Sequence, residues 1–281
     1  MKLIFFYILL LFISSCTKRS EVKSEQNSLK LYVLDGGILR TSDFSAMFPQ
    51  LGEKKPKTLS NPAYLIVHPK GNLLWDTGMA DSIFHIKGGL DIWGGSWHVS
   101  VVNPVQDQLK EIGLSPESVD YIAFSHLHSD HTGNGRLFKN ATLLIEQSLS
   151  ETAFNASAIQ KGYNPNDYQS MKLRMNVFTN ELDVFGDGSV RLISTPGHAE
   201  GHQVLLVDLP EYGALLLSGD LYVDSEQRAN FWLPAYTQSK VETIHSFSKV
   251  ERLIKSTGVT LWIQHDKAQF DSLKKAPYYY R

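Results

Sequence analysis

Short apolar runs bounded by turn residues recur along most of the chain and read as strands. Leu29 to Leu34, Ala63 to Val67 and Asn72 to Trp75 form a first group, the last two joined by the turn Pro69-Lys70-Gly71-Asn72. Val119 to Ser125, Val190 to Ser194, Ala214 to Ser218 and Val259 to Gln264 form a second. Two segments follow a helical period instead. Pro104 to Ile112 places Val105, Leu109 and Ile112 on one face. Ser239 to Ser256 repeats Val241, Ile244, Phe247, Val250 and Ile254 at about 3.5 residues, begins with the capping-box spacing of Ser239 and Glu242, and stops at Gly258. His245, inside that helix, is expected to pack rather than to bind a ligand.

The strands of the second group share a property: each is followed within a few residues by a metal-ligand type. After the first comes His126-Leu127-His128-Ser129-Asp130-His131, after the next Thr195-Pro196-Gly197-His198, then Gly219-Asp220, and finally His265. In layered α/β proteins functional groups gather at such strand ends. If the strand runs through Ser125, side-chain alternation points His126 and His128 to the same side, where both imidazoles reach one cation. Asp130 and His131 then aim from the following turn at a second cation. Without metal, so many buried imidazoles and carboxylates are costly.

The ordered set His-x-His-x-Asp-His, Pro-Gly-His, Gly-Asp and a late strand-end His resembles the metallo-β-lactamase superfamily over most of the chain. That resemblance implies an α/β fold, a four-layer αββα sandwich, with a two-metal site along one edge of its sheets. It implies that His126, His128 and His198 hold one metal, that Asp130, His131 and His265 hold the other, and that Asp220 bridges both. Asp76, in Asp76-Thr77-Gly78, matches the superfamily's early supporting Asp, and His202 matches a second His that supports the site without binding metal. Two zinc ions are expected, although cobalt, iron and manganese suit the same donors. Such a pair implies hydrolysis by a bridging hydroxide. The flavo-diiron branch, which carries Glu where this chain has His128 and needs a flavin domain, fits less well.

Composition narrows the class. A chain of 281 residues with 42% hydrophobic residues suits one catalytic domain, placed at residues 29 to 281. A net charge of −2 and no long basic run leave no footprint for nucleic acid. At the N-terminus, Lys2 and the apolar run Leu3 to Ile13 have the layout of a signal peptide, expected to span residues 1 to 15. Ile13-Ser14-Ser15-Cys16 resembles a bacterial lipoprotein cleavage box. The expectation is an exported lipoprotein, anchored through a lipidated Cys16 and a polar tether to residue 28, facing the periplasm or the cell exterior. Cys16 is the only cysteine, so the folded domain holds no disulfide.

Leu31-Tyr32-Val33, Asn61-Pro62-Ala63-Tyr64-Leu65, Trp75-Asp76-Thr77-Gly78-Met79, Ser125-His126-Leu127-His128 and Gln264-His265-Asp266 together look most like the N-acyl-homoserine lactonases. The resemblance implies a small-molecule lactone substrate, with Asp130 and Asp220 at the reacting centre and Asp220 as proton shuttle. Organophosphate, thioester and β-lactam hydrolysis are the alternatives, and a non-enzymatic binding protein is a further one. Zinc β-lactamases generally lack the bridging Asp. One departure stands out: those lactonases carry a Tyr three residues after the bridging Asp, where this chain has Val223. Tyr222 is the expected catalytic stand-in, with Tyr236 as its substitute. Residues 84 to 98, with paired glycines around Trp93 and Trp97, read either as a mobile flap over an acyl chain or as a loop whose tryptophans pack on the sandwich. Phe231 and Trp232 carry the same two readings.

Overall fold

The structure, a computed structural model, describes residues 28–281. Eight strands form the first sheet: β1 (Lys30–Thr41), β2 (Lys57–His68), β3 (Gly71–Trp75), β4 (Leu90–Ile92), β5 (Trp97–Ser100), β6 (Tyr121–Ala123), β7 (Thr142–Glu146) and β8 (Met175–Phe178), in the order β4-β5-β1-β2-β3-β6-β7-β8. The second contains β9 (Glu181–Asp183), β10 (Val190–Ser194), β11 (Gln203–Leu209), β12 (Gly213–Leu217) and β13 (Thr260–Trp262), in the order β13-β12-β11-β10-β9.

Alternation along the strands explains the layering. Tyr64 and Ile66 of β2 meet Leu205 and Val207 of β11 and Leu215 and Leu217 of β12 in the core between the sheets. Their neighbours point outward: Ala63 and Leu65 pack with Val105 and Leu109 of helix Val105–Glu111. Val204, Leu206 and Leu216 pack with Phe247 and Val250 of helix Lys240–Thr257. Both faces of each sheet are therefore buried, which is why the strands read as near-continuous apolar runs. The result is helix, sheet, sheet, helix, as expected. Each fully buried Leu or Phe in these layers is worth roughly 1.5–3 kcal/mol of transfer free energy.

Helix Lys240–Thr257 starts where its cap predicts, with Ser239 accepting from the Glu242 N–H, and ends on left-handed Gly258. Phe247 and Val250 of the expected face are buried, but the first turns are rotated. Val241 and Ile244 are 65% and 50% exposed, and Thr243, Ser246, Phe247 and Val250 face inward. A close backbone crossing is the reason: a Cβ on Gly197 would stand 2.3 Å from the Thr243 N, and Ser246 donates to the Pro196 carbonyl at 2.7 Å. His245 is exposed rather than packed.

The expected membrane-anchored localisation is corrected here. Among the described residues no helix is long and apolar enough to cross a membrane. The run Leu3 to Ile13, Cys16 and the tether up to residue 27 lie outside the described residues.

Candidate metal centre

Loops following β3, β6, β10, β12 and β13 meet at one edge of the two sheets. β6 ends at Ala123, two residues before the expected end. Asp76 causes this: its N–H pairs with the Ala123 carbonyl at 2.9 Å, and its carboxylate accepts the Ser125 N–H at 2.6 Å, which diverts the chain out of the ladder. Strand alternation therefore does not align His126 with His128. His126 stands in the loop, and His128 caps the short helix Ser129–Thr132, which carries Asp130 and His131. Asp76 itself has a φ of 54°, a left-handed conformation costly for a non-glycine residue.

The imidazoles still converge. His126 Nε2 lies 2.6 Å from His128 Nδ1, and His198 Nε2 lies 3.2 and 3.3 Å from those two atoms. On the other side, Asp130 Oδ2 lies 3.5 Å from His131 Nε2 and 3.7 Å from His265 Nε2. Asp220 stands between the halves. Its Oδ1 is 3.0 Å from His265 Nε2 and 3.3 Å from His131 Nε2, while its Oδ2 is 3.5 Å from His198 Nε2 and 4.0 Å from His126 Nε2.

These donors fit two cations. They form three overlapping groups, His126/His128/His198, His126/His131/Asp220 and Asp130/His131/His265, each with its donor atoms within 4.8 Å. His131 Nε2 and Asp220 Oδ1 are buried without a hydrogen-bond partner among the described residues, although they are neighbours. Two buried polar atoms this close, neither satisfied by a hydrogen bond, suit a cation held between them. The far ring nitrogens are tethered instead: His131 Nδ1 to Asp76 Oδ2 at 2.9 Å and His265 Nδ1 to the Ser60 carbonyl at 2.7 Å, which frees each Nε2 for metal. His202 is spoken for at both ends. Its Nδ1–H donates to the Thr195 carbonyl at 3.1 Å and its Nε2 accepts the Asp220 N–H at 3.1 Å, so it holds Asp220 in place with both ring nitrogens engaged.

Electrostatics divides the cluster. Burial pushes His126, His128 and His198 below the ordinary imidazole range, leaving neutral donors. Burial likewise pushes His202 down to about 4. It also acts against charge on His131 and His265, but facing carboxylates outweigh it: Asp130, Asp220 and Asp76 for His131, Asp220 and Asp130 for His265, and both stand above the usual range. Burial raises Asp76, with His131 opposing. For Asp220 burial is overcome by His265 and His131, which hold it well below the usual carboxylate range.

A cavity of about 280 Å³ opens over the cluster, floored by His128, Asp130, His198, Asp220 and His265 and walled by Leu39, Met47, Leu59, Trp93, Trp97 and Tyr236. Trp97 is 7% exposed and Trp93 48%, their rings meeting edge to face at 6.3 Å. Phe231 and Trp232 do not line it: one packs on Phe247 at 5.7 Å and the other on Phe48 at 6.3 Å. Tyr222 is corrected as well. Its ring stacks on Phe247 at 5.1 Å and its hydroxyl donates to Glu251 at 2.7 Å, away from the cavity. Tyr236 does line it, and burial together with Asp220 and Asp130 raises its pKa and keeps the phenol protonated. Sequence reasoning missed Leu39, Met47 and Leu59. Leu39 and Leu59 face each other across β1 and β2, and nothing in their pattern separates cavity wall from core.

Residues 57–254 match the family model described as Metallo-beta-lactamase superfamily. The chain is 34% identical over 266 residues to the N-acyl homoserine lactonase AttM of Azorhizobium caulinodans, covering 90% of this chain and 98% of that one. It is 26% identical to the N-acyl homoserine lactonase AiiA of Bacillus thuringiensis subsp. kurstaki, covering 89% and 98%. A solved structure of a substituted B. thuringiensis AiiA, with N-decanoyl-L-homoserine bound at its active site, aligns at a TM-score of 0.76 and 25% identity over 90% of this chain and 99% of that one. Ligand set, layering and these matches agree, and the chain belongs to the metallo-β-lactamase superfamily.

Proposed function

We propose that the chain is a dinuclear zinc hydrolase that opens the ring ester of N-acyl homoserine lactones. One observation carries this reading: the two oxygens of Asp220 face different halves of the cluster, Oδ1 towards His131 and His265 and Oδ2 towards His126 and His198. His126, His128 and His198 would hold one cation, Asp130, His131 and His265 the other, and Asp220 would serve both. When bound, such cations supply a nucleophile from water at neutral pH and polarise a carbonyl oxygen.

The remaining work falls to this chain's own groups. Leu39, Met47, Leu59, Trp93 and Trp97 take up the acyl chain and exclude water above the cluster. Tyr236 presents a protonated hydroxyl on the same wall, a donor for the oxygen on which charge develops. Water adds to the carbonyl carbon and the ring carbon–oxygen bond breaks. The Asp220 carboxylate passes the proton released by the water to the departing ring oxygen, giving an N-acyl homoserine. None of the described residues lining the cavity is Lys or Arg, which favours an uncharged substrate over anionic thioesters or β-lactams. The relatives named above as N-acyl homoserine lactonases support the choice of lactone.

The test is a panel of N-acyl homoserine lactones beside a thioester, an aryl phosphotriester and a cephalosporin, with zinc-loaded protein and an Asp220→Ala control. Lactone turnover far above the others, lost in the control, supports the reading. A faster phosphotriester or cephalosporin with idle lactone rejects it.

A further inference from the structure

Ser125 has no part in the ligand set, yet it is fully buried at the centre of the supporting contacts. Its N–H donates to Asp76 Oδ1 at 2.6 Å and its carbonyl accepts the Gln203 N–H at 2.9 Å. Its Oγ lies 3.1 Å from His126 Nδ1 and 3.1 Å from His131 Nδ1. One ring groups with His128 and His198 and the other with Asp130 and His265, and both also group with Asp220.

Proton counting fixes the directions. A neutral imidazole that offers Nε2 to a cation keeps its one proton on Nδ1. His131 Nδ1–H has a carboxylate acceptor in Asp76 Oδ2 at 2.9 Å. His126 Nδ1–H has only the Ser125 oxygen within reach among the described residues. Asp76 in turn holds the serine itself, its Oδ1 accepting the Ser125 N–H at 2.6 Å. The chain of contacts is then His126 Nδ1–H to Ser125 Oγ and Ser125 N–H to Asp76, with His131 Nδ1–H arriving at the same carboxylate from the other side.

We propose that Ser125 is a positioning residue that extends the hold of Asp76 across the dinuclear centre, so that one carboxylate orients a ligand in each half. His131 is held directly and His126 through Ser125, whose N–H binds Asp76 and whose Oγ meets the ring. Gly219 adds to the constraint: a Cβ there would stand 2.5 Å from Ser125 Cβ, so the segment carrying Asp220 presses against the same serine. The inference rests on the dinuclear reading above. Supporting contacts of this kind typically change metal affinity by about 10–100-fold when removed.

The experiment is histidine NMR on the full, zinc-loaded protein, with stepwise zinc affinities by calorimetry. In the wild type, His126 is expected to carry its proton on Nδ1 and to exchange it slowly. In Ser125→Ala, that proton should exchange at least about tenfold faster and one zinc affinity should fall about 10–100-fold, with the His131 proton unchanged. A His126 proton on Nε2 in the wild type overturns the proposal without any variant, as does a folded Ser125→Ala protein with both affinities and both protons unchanged. Binding of fewer than two zinc ions by the wild type sinks the dinuclear reading and the proposal with it. Two zinc ions without lactone turnover would sink only the substrate assignment, and the His126 proton would still decide the role of Ser125.

Discussion

Beneath the floor of the cavity, a Cβ added to Gly219 would stand 2.5 Å from Ser125 Cβ and 2.9 Å from His202 Nε2, whereas at the rim a Cβ on Gly94 or Gly95 would meet nothing within 4 Å. The side chains differ in the same way. His126, His131, His202 and Ser125 are fully buried and tethered through named hydrogen bonds, while Trp93 and Tyr236 are about half exposed. Close packing and paired polar groups fix the floor, because a buried donor or acceptor left unpaired costs about 1–3 kcal/mol. The rim has no such constraint. On the proposed function, chemistry that needs fixed geometry sits where the backbone cannot give, and fitting of the acyl chain sits where it can.

Asp220→Ala attacks the floor most directly. Lactone turnover should fall on the order of 1,000-fold or more, the scale of losing a group that acts at the reacting centre. Gly219→Ala and Gly94→Ala sharpen the contrast, since both replace a glycine at positive φ, 49° and 70°. Gly94→Ala should cost only the backbone term, about 1 kcal/mol, and Gly219→Ala about 3 kcal/mol because a clash is added. Equal thermal unfolding shifts would erase the distinction drawn here.

Acid should act on the floor too. His202 titrates near 6.5 when unfolded and only near 4 when folded, so as pH falls through that window the unfolded chain takes up a proton first and stability is lost. The full shift corresponds to about 3 kcal/mol. Metal-free His202→Gln should therefore lose less stability than the wild type between those pH values, and an identical pH dependence would contradict the buried neutral role. Trp93→Ala, at the rim, should raise KM several-fold for long-chain lactones and little for short ones; a uniform effect would remove Trp93 from acyl recognition. The smallest effect belongs to Tyr222→Phe, which loses one hydrogen bond to Glu251, about 1 kcal/mol of stability, with turnover unchanged.

Much of the floor was legible because its ligands follow apolar strands that can be read locally. Val190–Ser194 is a strand with the expected bounds, and His198, Asp220 and His265 stand just past strand ends. What local pattern could not show was set by contacts distant in sequence. Asp76, 49 residues from Ser125, pulls the chain out of the ladder and replaces alternation as the device that aligns His126 and His128. Glu251, 29 residues from Tyr222, claims the hydroxyl expected at the cavity. Gly197 turns the polar Thr243 and Ser246 inward and leaves Val241 and Ile244 outside. In the cavity wall, Leu39, Met47 and Leu59 look like any core residue until the fold places them over the His and Asp cluster.

The most direct test of the account is to titrate metal-free protein with zinc while following the opening of an N-acyl homoserine lactone. The account predicts two equivalents bound per chain, with turnover rising steeply as the second is filled. Full turnover with a single equivalent, or turnover unaffected by zinc removal, would contradict it.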